Sequence, residues 1–292
     1  MNWSASDIPN LQGKRYLITG GNSGLGLATA KQLVRHGGDV TLTVRSAEKG
    51  ERAINESGAA RWIELDVSDL SSVRHIAKNL EGQKFDGLIL NAGIMATPFA
   101  KSVDGFEMQM ATNYLGHFAL AGLMRNQING RLITVSSLAH RIGSFGKGSK
   151  EEIKNRALGI GSYSPWLAYG ASKLADLVFV NQLERRRLLG KESFTSISVH
   201  PGWAQTNLFG SGKLVNAVGS VLAQSADEGA LPILFAATAP DVKGASFIGP
   251  KKFAGLRGSP EYTHGNAASY RQQLGANLWD VSEELTQTSW EN

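Results

Sequence analysis

The sequence predicts an α/β protein, a doubly wound unit around a parallel sheet of seven strands. Three observations carry that expectation. Short runs rich in Val, Ile and Leu alternate with helical patterns from residue 14 to residue 200. Those runs show little apolar/polar alternation, as strands buried on both faces do. A glycine cluster joins the first strand to the first helix.

Arg15–Thr19 reads as the first strand and Leu25–Arg35 as a helix. Val40–Val44 and Arg61–Leu65 follow as strands. The next helix is expected from about 69 to 80, with Ser68 as N-cap and Asp69 in its first turn. Asp86–Leu90 is a fourth strand, followed by a helical pattern over 104–124, and Arg131–Val135 is a fifth. A long helix is expected over Pro165–Leu189, with Ser164 capping it and Pro165 in its first turn. Ser196–His200 is a sixth strand and Ala245–Gly249 a seventh. Strand–helix alternation implies right-handed crossovers. No repeat or linker divides residues 1–292, so one domain is expected. Two segments break the rhythm. His140–Ser164 is long and rich in Gly, Ser and Lys, and fits either a solvated insertion or a binding loop. Residues 207–224 are expected to form a substrate lid, and about 250–292 a C-terminal extension.

There are no cysteines, which excludes disulfides, thiolate nucleophiles and Cys-held metals. The six histidines form no His-x-x-x-His pair, so no metal is expected, and His117 and His200 are expected to pack inside the fold. The net charge is +5, but its largest cationic run, Arg185–Arg187, sits where cations complement a helix end. No nucleic-acid partner is expected. Met1–Leu11 lacks a basic start leading into an apolar run, and no stretch reaches eighteen apolar residues. A cytoplasmic protein without a membrane span is expected.

Thr19-Gly20-Gly21-Asn22-Ser23-Gly24-Leu25-Gly26 opens directly into a helix. Glycine lets backbone approach a pyrophosphate, whose charge the helix N-terminus favours. This is the expected dinucleotide loop of a Rossmann-type fold. The end of the second strand, where a carboxylate would hold a ribose 2′-hydroxyl, reads Thr43-Val44-Arg45-Ser46. Arg45 can instead fork onto a 2′-phosphate, which favours NADP(H) over NAD(H). Tyr169 and Lys173 lie four residues apart on one helix and share a face. A phenol is a poor base near neutrality, and an ammonium beside it favours the phenolate. Such a pair suits proton exchange with a carbonyl or alcohol oxygen. Ser136 and Ser137 end the fifth strand, at the sheet edge where ligands bind. No Gly-x-Ser-x-Gly elbow surrounds them, which disfavours a serine hydrolase.

Together these residues resemble the short-chain dehydrogenase/reductase family, in particular its retinol dehydrogenase-like and protochlorophyllide reductase-like members. The resemblance covers roughly Leu11–Thr206. It implies that Gly20, Asn22, Ser23, Gly24, Leu25 and Gly26 contact the cofactor, with Asp66-Val67 at the adenine and Asn91-Ala92-Gly93 after the fourth strand. Pro201, Gly202 and Thr206 match the segment on the nicotinamide side. It further implies Tyr169 as acid/base, Lys173 on the ribose, Ser137 orienting the substrate, and Asn113 completing a proton relay through water. Tyr169 and Lys173 thus serve both catalysis and cofactor. A homodimer or homotetramer paired through two long helices is also implied. Two departures from those members are expected: no membrane-anchoring N-terminus and, with no cysteine in the sequence, no pigment-site thiol.

The expectation is therefore an oxidoreductase that moves a hydride between NADP(H) and a carbonyl or alcohol. Trp166, Trp203, Leu208 and Phe209 either line an apolar substrate pocket or belong to the core. The alternative is a silent dinucleotide-binding sensor or scaffold, against which the presence of Tyr169, Lys173 and Ser137 argues.

Overall fold

The computed structural model describes residues 3–203 and 224–290. Thr206, Leu208, Phe209 and all but Gln224 of the expected lid lie outside the described residues. Eight strands form one sheet in the order β3-β2-β1-β4-β5-β6-β7-β8. They are β1 (Arg15–Thr19), β2 (Asp39–Val44), β3 (Arg61–Glu64), β4 (Phe85–Leu90), β5 (Ile128–Val135), β6 (Thr195–Val199), β7 (Phe247–Lys252) and β8 (Arg257–Thr263). The first seven run parallel, and β8 pairs antiparallel with β7.

The expected seven-stranded sheet is therefore one strand short. Arg257–Thr263 carries Pro260 and only one buried residue, so it lacks a strand's apolar signature. It pairs on one side only, and a sheet edge tolerates a proline that the interior would not.

Side chains alternate across the parallel strands, so neighbours part to opposite faces. Leu17, Leu88 and Leu132 join one core, against helices Leu70–Asn79, Pro165–Leu188 and Gln272–Thr286. Ile18, Ile89 and Ile133 join the other, against Gly24–Arg35 and Ala226–Thr238. Both faces are covered, as the Val/Ile/Leu runs required.

Local chemistry moved several boundaries. Asp69, not Ser68, caps the third long helix: its Oδ1 accepts from the Ser71 and Ser72 amides at 2.8 and 3.4 Å. Ser68 is engaged instead by Asp66, whose Oδ1 accepts both its amide and its hydroxyl. The helical pattern expected from 104 begins at Met108, where Glu107 accepts from the Gln109 and Met110 amides. Asp104 accepts the Leu70 amide instead. Ala47–Ser57, too polar to read as an element, is a helix ended by left-handed Gly58. The 140–164 segment holds a real helix, Lys150–Leu158, started by a reciprocal Ser149–Glu152 capping box. Lys150 and Lys154 pair with Asp280 and Glu284 of the C-terminal helix.

That C-terminal helix and Trp290 lie over the helices Gly116–Leu123 and Pro165–Leu188. Trp279 and Trp290 both contact Phe118 and Phe179, and the Arg186 guanidinium stacks 4.5 Å from the Trp279 ring. Among the described residues no helix is long and apolar enough to cross a membrane.

Candidate active site

The strand order reverses between β1 and β4, and a ligand crevice opens at the carboxyl ends of strands at such a point. The loops leaving those two strands carry the glycine cluster and Asn91-Ala92-Gly93. They are stitched together by Thr19. Its hydroxyl oxygen accepts from the Asn91 amide at 2.9 Å and the Ala92 amide at 3.0 Å. The Asn91 side chain donates to the Thr19 and Gly20 carbonyls at 2.9 and 3.2 Å.

Below Thr19 sits His117, almost wholly buried. Its Nδ1 lies 3.0 Å from the Asn113 carbonyl and its Nε2 2.9 Å from the Thr19 hydroxyl. A carbonyl can only accept, so Nδ1 carries the proton and Thr19 donates to Nε2. Burial depresses the His117 pKa to about 3, and the nearby Lys173 charge pushes the same way. The neutral tautomer is thus the one the network requires.

Two glycines permit this closeness. A Cβ on Gly26 would fall 2.4 Å from the Gly20 carbonyl oxygen and 2.6 Å from the Asn91 amide nitrogen. Gly20 itself has φ +66° and lies against Ala92. Ser23 precedes helix Gly24–Arg35 but makes no side-chain capping bond. The helix's first amides therefore lack a side-chain partner, the donor set that a pyrophosphate satisfies. Arg45 stands exposed beyond β2, next to the loop, since the Gly21 amide donates to the Thr43 carbonyl at 3.1 Å. Asp66 and Val67 follow β3, Val67 buried and Asp66 partly exposed. Asn22, Ser23 and Gly24 are partly exposed, whereas Leu25 and Gly26 are buried.

Asn113 sits in a π-helical turn, Ala111–Leu115, between Met108–Met110 and Gly116–Leu123. Such single turns widen a helix locally and recur at functional sites. The Asn113 side chain accepts from the Ile94 amide at 2.8 Å and donates to the Ile94 carbonyl and Ser172 hydroxyl at 3.0 and 2.8 Å. It therefore ties the segment after Gly93 to the helix that bears Tyr169. A Cβ on Gly93 would stand 3.2 Å from the Asn113 Oδ1 and 3.8 Å from the Lys173 Nζ.

Tyr169 and Lys173 are buried on one face of Pro165–Leu188, and Trp166 meets Tyr169 edge-on at 6.2 Å. The Lys173 ammonium donates to the Val135 carbonyl at 2.7 Å and to Asp176 Oδ2 at 3.1 Å. Val135 is the last residue of β5, so the lysine is pinned at the sheet's carboxyl edge. The two serines there part company. Ser136 is buried and donates to the Lys173 carbonyl at 2.7 Å. Ser137 is partly exposed, caps the turn Leu138–Ile142 and accepts the Ala139 amide at 3.2 Å.

Pro201 and Gly202 follow β6. The Gly202 amide donates to the His200 Nδ1 at 3.2 Å, and its φ of +72° places the backbone against Leu256. His200 is buried beside the Phe247 ring, as is His140, whose Nδ1 donates to the Ser137 carbonyl at 2.6 Å. Trp203 and Trp166 are not core: they are 40% and 51% exposed.

Sequence reading missed Asp176, Ser172 and His140, whereas His200 packs inside the fold as expected. Only Asp176 left a trace, standing three residues after Lys173 on a shared helix face. No group of metal-ligating side chains occurs among the described residues.

The family model described as short chain dehydrogenase matches residues 14–149. Mouse retinol dehydrogenase 14 is 32% identical over 306 residues, covering 94% of this chain and 86% of its own. The chain belongs to the short-chain dehydrogenase/reductase family. The Penicillium roqueforti short-chain dehydrogenase/reductase prx1 is 39% identical over 214 residues, which cover 69% of this chain and 60% of that protein. This chain thus spans about three fifths of that relative's length. An uncharacterized protein from Mycobacterium paratuberculosis superposes with a TM-score of 0.86 at 39% identity, each chain covered in full. A Burkholderia cenocepacia short chain dehydrogenase, solved in complex with NADP, does so at 0.59 and 25% identity, over 78% of this chain and 92% of its own.

Proposed function

We propose that the chain moves a hydride between NADP(H) and an apolar carbonyl or alcohol, with Tyr169 as general acid/base. The observation that carries this reading is the Lys173 ammonium bound to the Val135 carbonyl, one helical turn from Tyr169 and directly before Ser136-Ser137. A buried cation held there favours a phenolate on the same helix face.

When bound, the dinucleotide supplies or accepts the hydride. In reduction, Tyr169 gives its phenolic proton to the carbonyl oxygen, and in oxidation it takes the proton back from the alcohol. The Ser137 hydroxyl, partly exposed at the sheet edge, donates to the same oxygen and orients it. Ser136, committed to the Lys173 carbonyl, holds the helix to β5 instead. Asn113 ties the segment after Gly93 to the Tyr169 helix through Ile94 and Ser172. Arg45 is the phosphate-binding residue in this reading, since its fork of donors is exposed where a carboxylate would otherwise discriminate for NAD. The NADP complex of the Burkholderia relative supports that choice. An apolar substrate is supported by the exposed indoles of Trp166 and Trp203, and by mouse retinol dehydrogenase 14, a relative named for an apolar alcohol.

Fluorescence titration with NADPH and NADH, followed by a carbonyl panel with wild type and Tyr169→Phe, tests the reading. NADPH is expected to bind more tightly than NADH. Turnover is expected to fall about 10²- to 10⁴-fold in the variant with cofactor affinity retained. Binding of neither nucleotide, or full activity in Tyr169→Phe, would overturn it.

A further inference from the structure

Lys173 has three ammonium protons, and the protein takes up two of them, one on the Val135 carbonyl and one on Asp176 Oδ2. Its third has no acceptor among the described residues. Both Lys173 and Asp176 side chains are nearly sealed from solvent, at 6% and 4% exposure. A lysine stem has four rotatable bonds and would wander without such fixation.

We propose that Asp176 is a positioning residue for the reaction: its buried carboxylate, 3.1 Å from the Lys173 ammonium, orients that group and sets the net charge facing Tyr169. The inference rests on Tyr169 acting as the acid/base. An ionised Asp176 cancels the Lys173 charge, so the pair favours a phenolate weakly. A protonated or amidated side chain at 176 leaves an uncompensated ammonium and favours it strongly.

The pair is sealed from solvent, with the Lys173 and Asp176 side chains 6% and 4% exposed. Burial drives the Asp176 carboxyl well above the ordinary carboxylate range, with Lys173 pulling it back. The titratable groups facing it are Lys173 on its own helix and Tyr114 from the π-helical turn, with His117 one turn further on and close to Lys173. From β5 and β6 come the hydroxyls of Thr134 and Ser198, bonded to each other at 2.7 Å, with Ser198 reaching the Asp176 carbonyl. Neutral His117 and neutral Tyr114 add no countercharge.

The first readout needs no substrate. Protein labelled with ¹³C at the tyrosine ζ carbon would be titrated by NMR as wild type, Asp176→Asn, Asp176→Ser and Asp176→Glu, with Tyr169→Phe assigning one of the six tyrosines. Both neutral variants should move the pH at which the Tyr169 signal changes down by about one pH unit. Asp176→Glu, which restores the carboxylate, should return it towards wild type. Two neutral side chains of different size guard against misreading one poorly folded variant. A Tyr169 transition that stays in place in both neutral variants overturns the proposal. If instead Tyr169→Phe retains turnover, the acid/base assignment itself fails, whatever the labels show.

Discussion

His117 and His200 illustrate what burial does to a single residue. Desolvation depresses both pKa values to about 3, against about 6.5 for an exposed imidazole. Their folded-state pKa values are lowered, so the unfolded chain binds more protons as pH drops below 6.5. Stability from these groups is therefore complete above that pH and lost as the pH falls towards 3. Each is expected to contribute about 1.4 kcal/mol of lost stability per pH unit below 6.5. Urea unfolding at pH 7 and pH 5.5 checks this. The midpoint should fall, and it should fall less in His117→Gln. An equal drop in that variant would mean that other groups carry the effect. Because His117 locks Thr19 and His200 locks Gly202, both walls of the crevice are expected to loosen over this range.

Elements meet in this fold through backbone contacts that leave no room for a methyl group. Gly116 opens the helix Gly116–Leu123 directly after the π-helical turn, and a Cβ there would fall 1.8 Å from the Val67 carbonyl oxygen. Val67 follows β3 in the pair that the family resemblance places at the adenine. Gly116→Ala should push that helix off the strand end, costing about 1–3 kcal/mol as overpacking does. A urea midpoint within error of wild type would refute the close approach. The π-helical turn was illegible for a related reason. Hydrophobic period marks a helix, but a one-residue widening leaves no mark in composition, and here it carries the Asn113 and His117 bonds. Likewise Asp104, four residues before the helix begins at Met108, looked like its start. Tertiary contact gives that carboxylate to Leu70 instead.

At the scale of the whole molecule, the C-terminal segment is structural rather than appended. Trp290 is fully buried among Phe118, Phe179 and Trp279, and its carbonyl accepts from Arg186 at 3.1 Å and from Arg125. Phe118 and Phe179 come from the same helices that carry His117 and Lys173, so this plug braces the site from behind. Trp290→Ala is expected to cost about 3–5 kcal/mol, measured by urea or thermal unfolding. A loss below about 1 kcal/mol would show the segment to be dispensable. The same packing places the C-terminal helix over Gly116–Leu123 and Pro165–Leu188.

What could be read in advance was whatever chemistry is local in the chain. The glycine loop after β1, the Tyr169–Lys173 spacing and the doubly buried strands depend on neighbours within a turn or a strand, so residue order alone specified the α/β fold and the lysine–tyrosine pair. The eighth strand, the separate roles of Ser136 and Ser137, and Asp176 depend on what lies across the fold. A carboxylate in a helix reads as solvated until packing seals every side of that helix. Only then does desolvation, acting over a few ångströms of tertiary contact, turn an ordinary Asp into the countercharge of the Lys173 ammonium.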